Sequence, residues 1–162
     1  MKPSATNPDS SRPALTGLLF EPRKVIADER GRVLHYLRTG SPLLPRFGEV
    51  YVSTILPGAV KAWKRHHRVA QNLIVPAGCI RFVAYDDRPE SATRGRIQEL
   101  RLDTLTHGIL HVPAGLWYGF QGLAPGESVI VNCISEIHDP AESDRLPEQS
   151  SQIPYQWPVP NP

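Results

Sequence analysis

Gly58-Ala59-Val60-Lys61-Ala62-Trp63-Lys64-Arg65-His66-His67-Arg68-Val69-Ala70-Gln71-Asn72-Leu73-Ile74-Val75-Pro76-Ala77-Gly78 is the stretch on which the fold turns. A Pro57-Gly58 turn precedes it, Val60 to His66 reads as one strand, and Asn72 to Val75 reads as the next. Pro76-Ala77-Gly78 then turns the chain into Cys79-Ile80-Arg81-Phe82-Val83-Ala84-Tyr85. Working outward, Glu49 to Ile55 alternates and is β-branched, and Ile97–Leu102, Ile109–Val112 and Leu116–Gln121 follow downstream. Ser128 to Ile134 is the strongest strand of all. Toward the N-terminus come Leu18–Phe20, Lys24–Ala27 and Arg32–Leu37, with Asp28-Glu29-Arg30-Gly31 as a hairpin turn. Only Pro140 to Leu146 carries a helical period, and weakly. Many short strands at roughly ten-residue spacing predict an all-β antiparallel sandwich or barrel.

A chain of 162 residues fits one domain with a substantial core. With 40% apolar residues, 21% charged residues and a formal charge of +2, its balance is that of a globular protein. It is no polycation, and no Lys/Arg run interleaved with aromatics predicts nucleic acid as a partner. The compact basic cluster Lys61 to Arg68 suits a diphosphate better than a polymer. Cys79 and Cys133 each sit inside an apolar run and read as buried, unpaired thiols. No apolar stretch approaches the ~18 residues of a membrane span and no leader is evident, so a cytoplasmic protein is expected. Seventeen prolines and twelve glycines fall between the apolar runs and so punctuate turns. Residues 1–16 and 158–162 are expected to be flexible tails around a single barrel spanning 17–157.

Metal-binding cupins carry a Gly, five residues, His-x-His, a short gap, a Glu, six residues and a Gly. The same frame here reads Gly58, Lys64, His66, Gln71, Gly78. Their second motif, Pro-x-Gly-x-x-His, reads Pro113, Gly115, Tyr118. A protonated Lys cannot ligate, Gln is a weak neutral donor, and His66 alone holds no divalent ion. The frame predicts a cupin-type barrel in which no metal binds.

From about Phe20 to Trp157 the chain resembles the dTDP-4-dehydrorhamnose 3,5-epimerases, a cupin branch that works without metal. The family's Asp-x-Arg-Gly turn is Asp28 to Gly31, and its Arg-Gly-Leu-His strand is Lys61-Ala62-Trp63-Lys64. Its Gly-to-Arg block runs from Gly78 to Arg88, and Ser-Pro-Thr-x-Gly is Ser91-Ala92-Thr93-Arg94-Gly95. Pro-x-Gly-Phe-x-His-Gly-Phe becomes Pro113-Ala114-Gly115-Leu116-Trp117-Tyr118-Gly119-Phe120, and the closing Ile-x-Trp falls at Ile153 to Trp157. The resemblance implies a double-stranded β-helix, or jelly roll, and a homodimer. It also implies a nucleoside-diphosphate-linked sugar as partner and no cofactor.

Epimerisation beside a ketone needs a base for the acidic α-proton, a group to steady the enolate, and an acid on the opposite face. In the family these are a His held by an Asp, a Lys and a Tyr. Lys64 falls where that His stands, Gln71 near the Lys, His138 near the Tyr, and Ser150 at the Asp. Lys64 is therefore either a base, a cation steadying an enolate, or a solvated strand lysine. Two positions along, His66 shares its face and its environment. Tyr118 offers a phenol for proton donation or for a sugar hydroxyl, and equally suits a core position. His138, before Asp139-Pro140, is either an acid or a loop histidine. Arg30, Lys61 and Arg81 are candidate diphosphate partners, each equally fitted to a surface salt bridge. Gln71, Asp86, Trp117 and Asn132 complete the candidate substrate-binding set.

Three functions compete. One is a metal-independent epimerase or ketoisomerase on a nucleoside-diphosphate 4-keto-6-deoxy-sugar, serving deoxysugar or surface polysaccharide synthesis. The second is a sugar-nucleotide-binding cupin that has lost catalysis. The third is a metal cupin such as a dioxygenase, which the replaced ligands disfavour. Lys64, His66, Tyr118 and His138 weigh toward the enzyme, since an inert pocket needs no titratable groups.

Overall fold

A computed structural model describes residues 14–159 and is built from twelve strands and one short 3₁₀ turn. Strands β4 (Glu49–Ile55), β6 (Gln71–Ala77), β9 (Gly108–Val112) and β11 (Ser128–Ile134) join β1 (Leu19–Pro22) in one five-stranded sheet, in the order β1-β9-β6-β11-β4. The facing sheet has the order β12-β5-β10-β7-β8. Its members are β5 (Val60–His66), β7 (Cys79–Tyr85), β8 (Ile97–Asp103), β10 (Trp117–Gly122) and β12 (Ser143–Arg145). A separate hairpin pairs β2 (Val25–Asp28) with β3 (Gly31–Leu34) across the expected Glu29-Arg30 turn. Every named strand pairing is antiparallel and the two sheets face one another as a jelly roll, the all-β architecture the sequence predicts.

Period-two alternation fills the space between the sheets. Ile80, Phe82 and Ala84 of β7 enter the core with Leu73 and Val75 of β6, Ile130 of β11 and Tyr118 of β10. Ile80 and Phe82 are fully buried, each worth ~1.5–3 kcal/mol. Their neighbours Val83 and Trp117 point the other way, into a second cluster on the outside of the β5-containing sheet. Trp63 and Ile153 complete that cluster and Tyr155 and Trp157 pack against it, so the chain's own C-terminal segment covers this face.

Two departures from the expected pattern position the site. The helical period over Pro140–Leu146 shrinks to a 3₁₀ turn, Pro140–Glu142, followed by β12 on the edge of β5. Asp139 caps Ala141 and Pro140 opens the turn, which is a helix-start signal. The Ser143–Arg145 backbone, however, is taken by pairing with His66, Arg65 and Lys64. The second departure lies in β5, where Tyr118 pairs Lys64 but Phe120 pairs Lys61. The extra β5 residue is a bulge, and it puts Lys61 and Lys64 on the same inner face despite their odd spacing. Gly119 lies against it; a Cβ there would sit 2.5 Å from that of Ala62.

The flexible tails expected at 1–16 and 158–162 fall largely outside the described residues. Of the part that is described, Leu15 is buried in the core, its N–H donating to the Gln98 side chain at 2.8 Å. Packing therefore begins before residue 17. Cys79 and Cys133 are both free and buried.

Candidate functional site

Between the sheets lies a cavity of about 530 Å³, within the range that holds small ligands. Lys61, Lys64, Tyr118, Phe120 and Arg145 line it from one sheet; Tyr51, Ser53, Leu73, Ile130 and Asn132 line it from the other.

The first wall is cationic. Lys64 stands in the ladder between Tyr118 of β10 and Arg145 of β12, and directly opposed residues share a face. Neither Lys64 nor Arg145 is ion-paired to a carboxylate among the described residues. Burial lowers the Lys64 pKa, Arg145 lowers it further, and Glu142 opposes both. Lys61 lines the same wall, its Nζ donating to the Thr54 carbonyl at 2.5 Å. Tyr118 is buried and its ring lies between those of Phe82 and His66, at 5.7 and 6.2 Å between centroids. Burial raises the Tyr118 pKa, and Tyr51 across the cavity raises it further, because two phenolates would repel.

His66 lies just behind this wall. Its Nδ1 is 2.5 Å from Glu142 Oε2, while Glu142 Oε1 accepts the backbone N–H groups of Arg68 and Val69 at 2.7 and 2.9 Å. Burial raises the Glu142 pKa, but these hydrogen bonds outweigh it and hold the carboxyl at about 2. An ionised carboxylate only accepts, so the His66 proton resides on Nδ1 and the lone pair on Nε2. That Nε2 is buried with no hydrogen-bond partner among the described residues. Burial lowers the His66 pKa, Lys64 and His138 add to the effect, and Glu142 offsets it in part. The imidazole is neutral at pH 7, fixed in tautomer, and carries an unused basic nitrogen.

The opposite wall is a satisfied amide network. Asn132 Oδ1 accepts the Asn72 N–H at 3.0 Å, and Asn132 Nδ2 donates to Tyr51 Oη at 2.6 Å and to Gln71 Oε1 at 2.5 Å. Tyr51 in turn donates to Gln71 Oε1 over a longer 3.2 Å.

Of the residues singled out from sequence, Lys61, Lys64, Tyr118 and Asn132 therefore line the cavity, with His66 and Gln71 directly behind it. His138 is exposed beyond β11, where its N–H donates to Glu49, close enough to bear on His66. Four others lie elsewhere. Arg81 alternates with the core residues Ile80 and Phe82, so it points outward and pairs with Glu99 and Gln121. Trp117 alternates with Tyr118 and also faces out, its indole donating to Asp87 and stacked by Arg65 at 4.5 Å. Asp86 is fully buried in the turn after β7, held by Arg88, Ser91 and Thr93. Arg30 is exposed on the β2–β3 hairpin and bound to Asp28. A carboxylate does hold a histidine here, but it is Glu142, not a group at Ser150. Glu142 and Arg145 were hidden in a segment that reads as helix. Tyr51 carried a usable signal, since it shares the inner face of β4 with Ser53 and Ile55.

No group of three or more His, Cys, Asp or Glu side chains is placed to hold a metal ion among the described residues. The nearest imidazole, His66, already commits one nitrogen to Glu142.

A solved dTDP sugar isomerase from Desulfovibrio desulfuricans G20 superposes with a TM-score of 0.85 at 38% identity, covering 90% of this chain and 95% of that one. The chain is 29% identical over 138 residues to the probable low-salt glycan biosynthesis epimerase Agl13 of Haloferax volcanii, spanning 83% of this chain and 88% of the relative. It is 26% identical over 133 residues to the spore coat polysaccharide biosynthesis protein SpsL of Bacillus subtilis, spanning 81% and 88%. The model of the dTDP-4-dehydrorhamnose 3,5-epimerase family matches residues 13–162, nearly the whole sequence. The chain belongs to the dTDP-4-dehydrorhamnose 3,5-epimerase family.

Proposed function

We propose that the protein epimerises or isomerises a nucleoside-diphosphate-linked 4-keto-6-deoxy-sugar without a metal, in the making of deoxysugars or surface polysaccharide. The observation that carries this reading is the buried His66–Glu142 pair directly behind Lys64, which lines the cavity. Leaving a buried nitrogen unpaired costs about 1–3 kcal/mol, and a pocket that only binds has no use for it. Family membership and the epimerase relatives point the same way.

In the proposed cycle the sugar ketone acidifies the neighbouring carbons, so no redox cofactor is required. Neutral His66 removes the α-proton through Nε2, and Glu142 steadies the imidazolium that forms. Lys64 remains the cation that compensates the enolate oxygen, in a site where burial magnifies its charge. Tyr118 hydrogen-bonds the ketone or a ring hydroxyl from the same wall. Lys61 and Arg145 take the diphosphate, since both are cations on this wall and Arg145 has no carboxylate partner among the described residues.

The test is conversion of nucleoside-diphosphate 4-keto-6-deoxy-sugars, followed by NMR. Epimer formation supports the reading; tight binding with no chemistry on any such sugar replaces it with the lapsed binding protein. We also propose a homodimer formed through the outside of the β4-containing sheet. Leu19, Val50 and Val52 there are 52%, 46% and 60% exposed, and unpartnered apolar strands are an association surface. Light scattering is expected to give twice the 18.0 kDa chain mass, and the chain mass itself would refute this. The work is placed in the cytoplasm because a charged sugar nucleotide does not cross a bilayer unaided. No helix of the described residues is long and apolar enough to span one.

A further inference from the structure

Inverting a carbon requires that the proton leave from one face of the sugar and return to the other. The groups assigned to its departure, His66 and Lys64, belong to β5, and Tyr118 is the direct cross-strand neighbour of Lys64. All three approach from one sheet, so none of them reaches the far face. The far wall consists of Tyr51, Ser53, Leu73, Ile130 and Asn132. Among these described residues Tyr51 alone has a side chain that gives up a proton readily; the serine hydroxyl is far less acidic and the amide does not ionise.

We propose that Tyr51 is the catalytic acid that returns a proton to the carbon from the face opposite His66. This assignment rests on the epimerase reading above. Three features of the site support it. Tyr51 Oη is held by Asn132 Nδ2 at 2.6 Å, and that amide is itself fixed by Gln71 and by the Asn72 backbone. The position of the oxygen is therefore set by a network of fixed amides. Secondly, Gln71 Oε1 already accepts from Asn132 at 2.5 Å, so its bond from Tyr51 is the longer one, 3.2 Å, and leaves the hydroxyl hydrogen the easier to redirect into the cavity. Thirdly, burial raises the Tyr51 pKa while the Asn132 bond lowers it. The phenol is thus protonated at neutral pH, and its phenolate has a donor waiting.

The step balances as follows. His66 Nε2 takes the α-proton, and the C–H electron pair becomes the enolate, with its charge on the ketone oxygen beside Lys64. The enolate pair then returns to the carbon from the other side and takes the Tyr51 hydroxyl proton; the O–H bond breaks and a phenolate remains. The phenolate regains a proton from solvent as the imidazolium loses one, and no electron is gained or lost.

Tyr51→Phe separates departure from return. In deuterated solvent with a nucleoside-diphosphate 4-keto-6-deoxy-sugar that wild type epimerises, inverted product is expected to fall ~10²–10⁴-fold. Deuterium should still wash into the recovered, uninverted sugar, because His66 and Lys64 are untouched. His138→Gln, at the competing candidate for the acid, should still yield inverted product. If exchange and inversion fall together in Tyr51→Phe, or if inversion persists, Tyr51 is not the acid. If His138→Gln alone gives exchange without inversion, His138 is the acid instead. Fluorotyrosine in place of Tyr51 keeps the hydroxyl and its hydrogen bonds and covers the case in which Phe misfolds. It should move the alkaline limb of inversion to lower pH, and an unmoved limb overturns the assignment. A wild type that neither exchanges nor inverts any such sugar refutes the epimerase reading and this step together; the other failures refute this step alone.

Discussion

Glu142→Gln removes one charge from a buried pair and nearly preserves its shape. Glu142 is 4% exposed and accepts from His66, Arg68 and Val69. Its folded pKa is about 2, against 4.5 ordinarily, which makes the ionised form worth ~3 kcal/mol to the fold at neutral pH. Because the folded value is the depressed one, that stability is present above pH 4.5 and is lost as pH falls toward 2. His66 acts in the same direction. Its folded pKa lies below 6.5, so the unfolded chain binds the proton more readily and acid below 6.5 weakens the fold. Urea unfolding followed by tryptophan fluorescence should show the variant less stable by ~3 kcal/mol at pH 7.5, and less sensitive to pH between 4.5 and 2. The chemical effect is separate. Gln can still accept from Arg68 and Val69, which turns its NH₂ toward His66 Nδ1 and drives the imidazole proton onto Nε2. The base then carries hydrogen where it needs a lone pair, and turnover should fall by about 10²–10⁴ in folded enzyme. A variant within 0.5 kcal/mol of wild type in stability and twofold in rate would refute the tautomer argument.

Asp86→Asn tests whether Asp86 belongs to the framework. It breaks a fully buried carboxylate held by Arg88, Ser91 and Thr93, at a cost of ~3 kcal/mol, or a fall in Tm of about 6–12 °C. Turnover per folded molecule should be unchanged, and a selective loss of substrate affinity would return Asp86 to the site. Exhaustive chelation is expected to leave epimerisation intact, and elemental analysis of protein purified without chelator should find no stoichiometric transition metal. Activity lost to chelator and restored by zinc, iron or nickel would contradict this.

Much of the fold was legible because period-two alternation between Pro/Gly turns is a local signal. β4, β5, β7 and β11 begin and end where the apolar runs do. The 3₁₀ turn was not legible as such, since Asp139-Pro140 begins a helix and a 3₁₀ turn alike, and only tertiary pairing with β5 decides. In the site, the shared face of Lys64 and His66 follows from strand arithmetic. The same arithmetic places Trp117 opposite Tyr118 and Arg81 opposite Phe82, so these two candidate substrate-binding residues face away from the cavity. Lys61 escapes that rule because a bulge depends on the partner strand and leaves no signature of its own in β5. The His66–Glu142 contact joins positions 76 residues apart and becomes visible only when β12 docks on β5.

Proton abstraction beside a ketone is assigned to His66, buried directly behind the cavity-lining Lys64 that steadies the enolate. It is tested most directly by NMR of a nucleoside-diphosphate 4-keto-6-deoxy-sugar incubated with the protein in deuterated buffer. Wild type should introduce deuterium at C3, C5 or both, and Lys64→Ala and His66→Ala should each slow that incorporation by ~10²–10⁴-fold while a nucleoside diphosphate still binds. Incorporation at wild-type rate in both variants would remove Lys64 and His66 from the chemistry, and none in wild type with any such sugar would leave a protein that binds without epimerising.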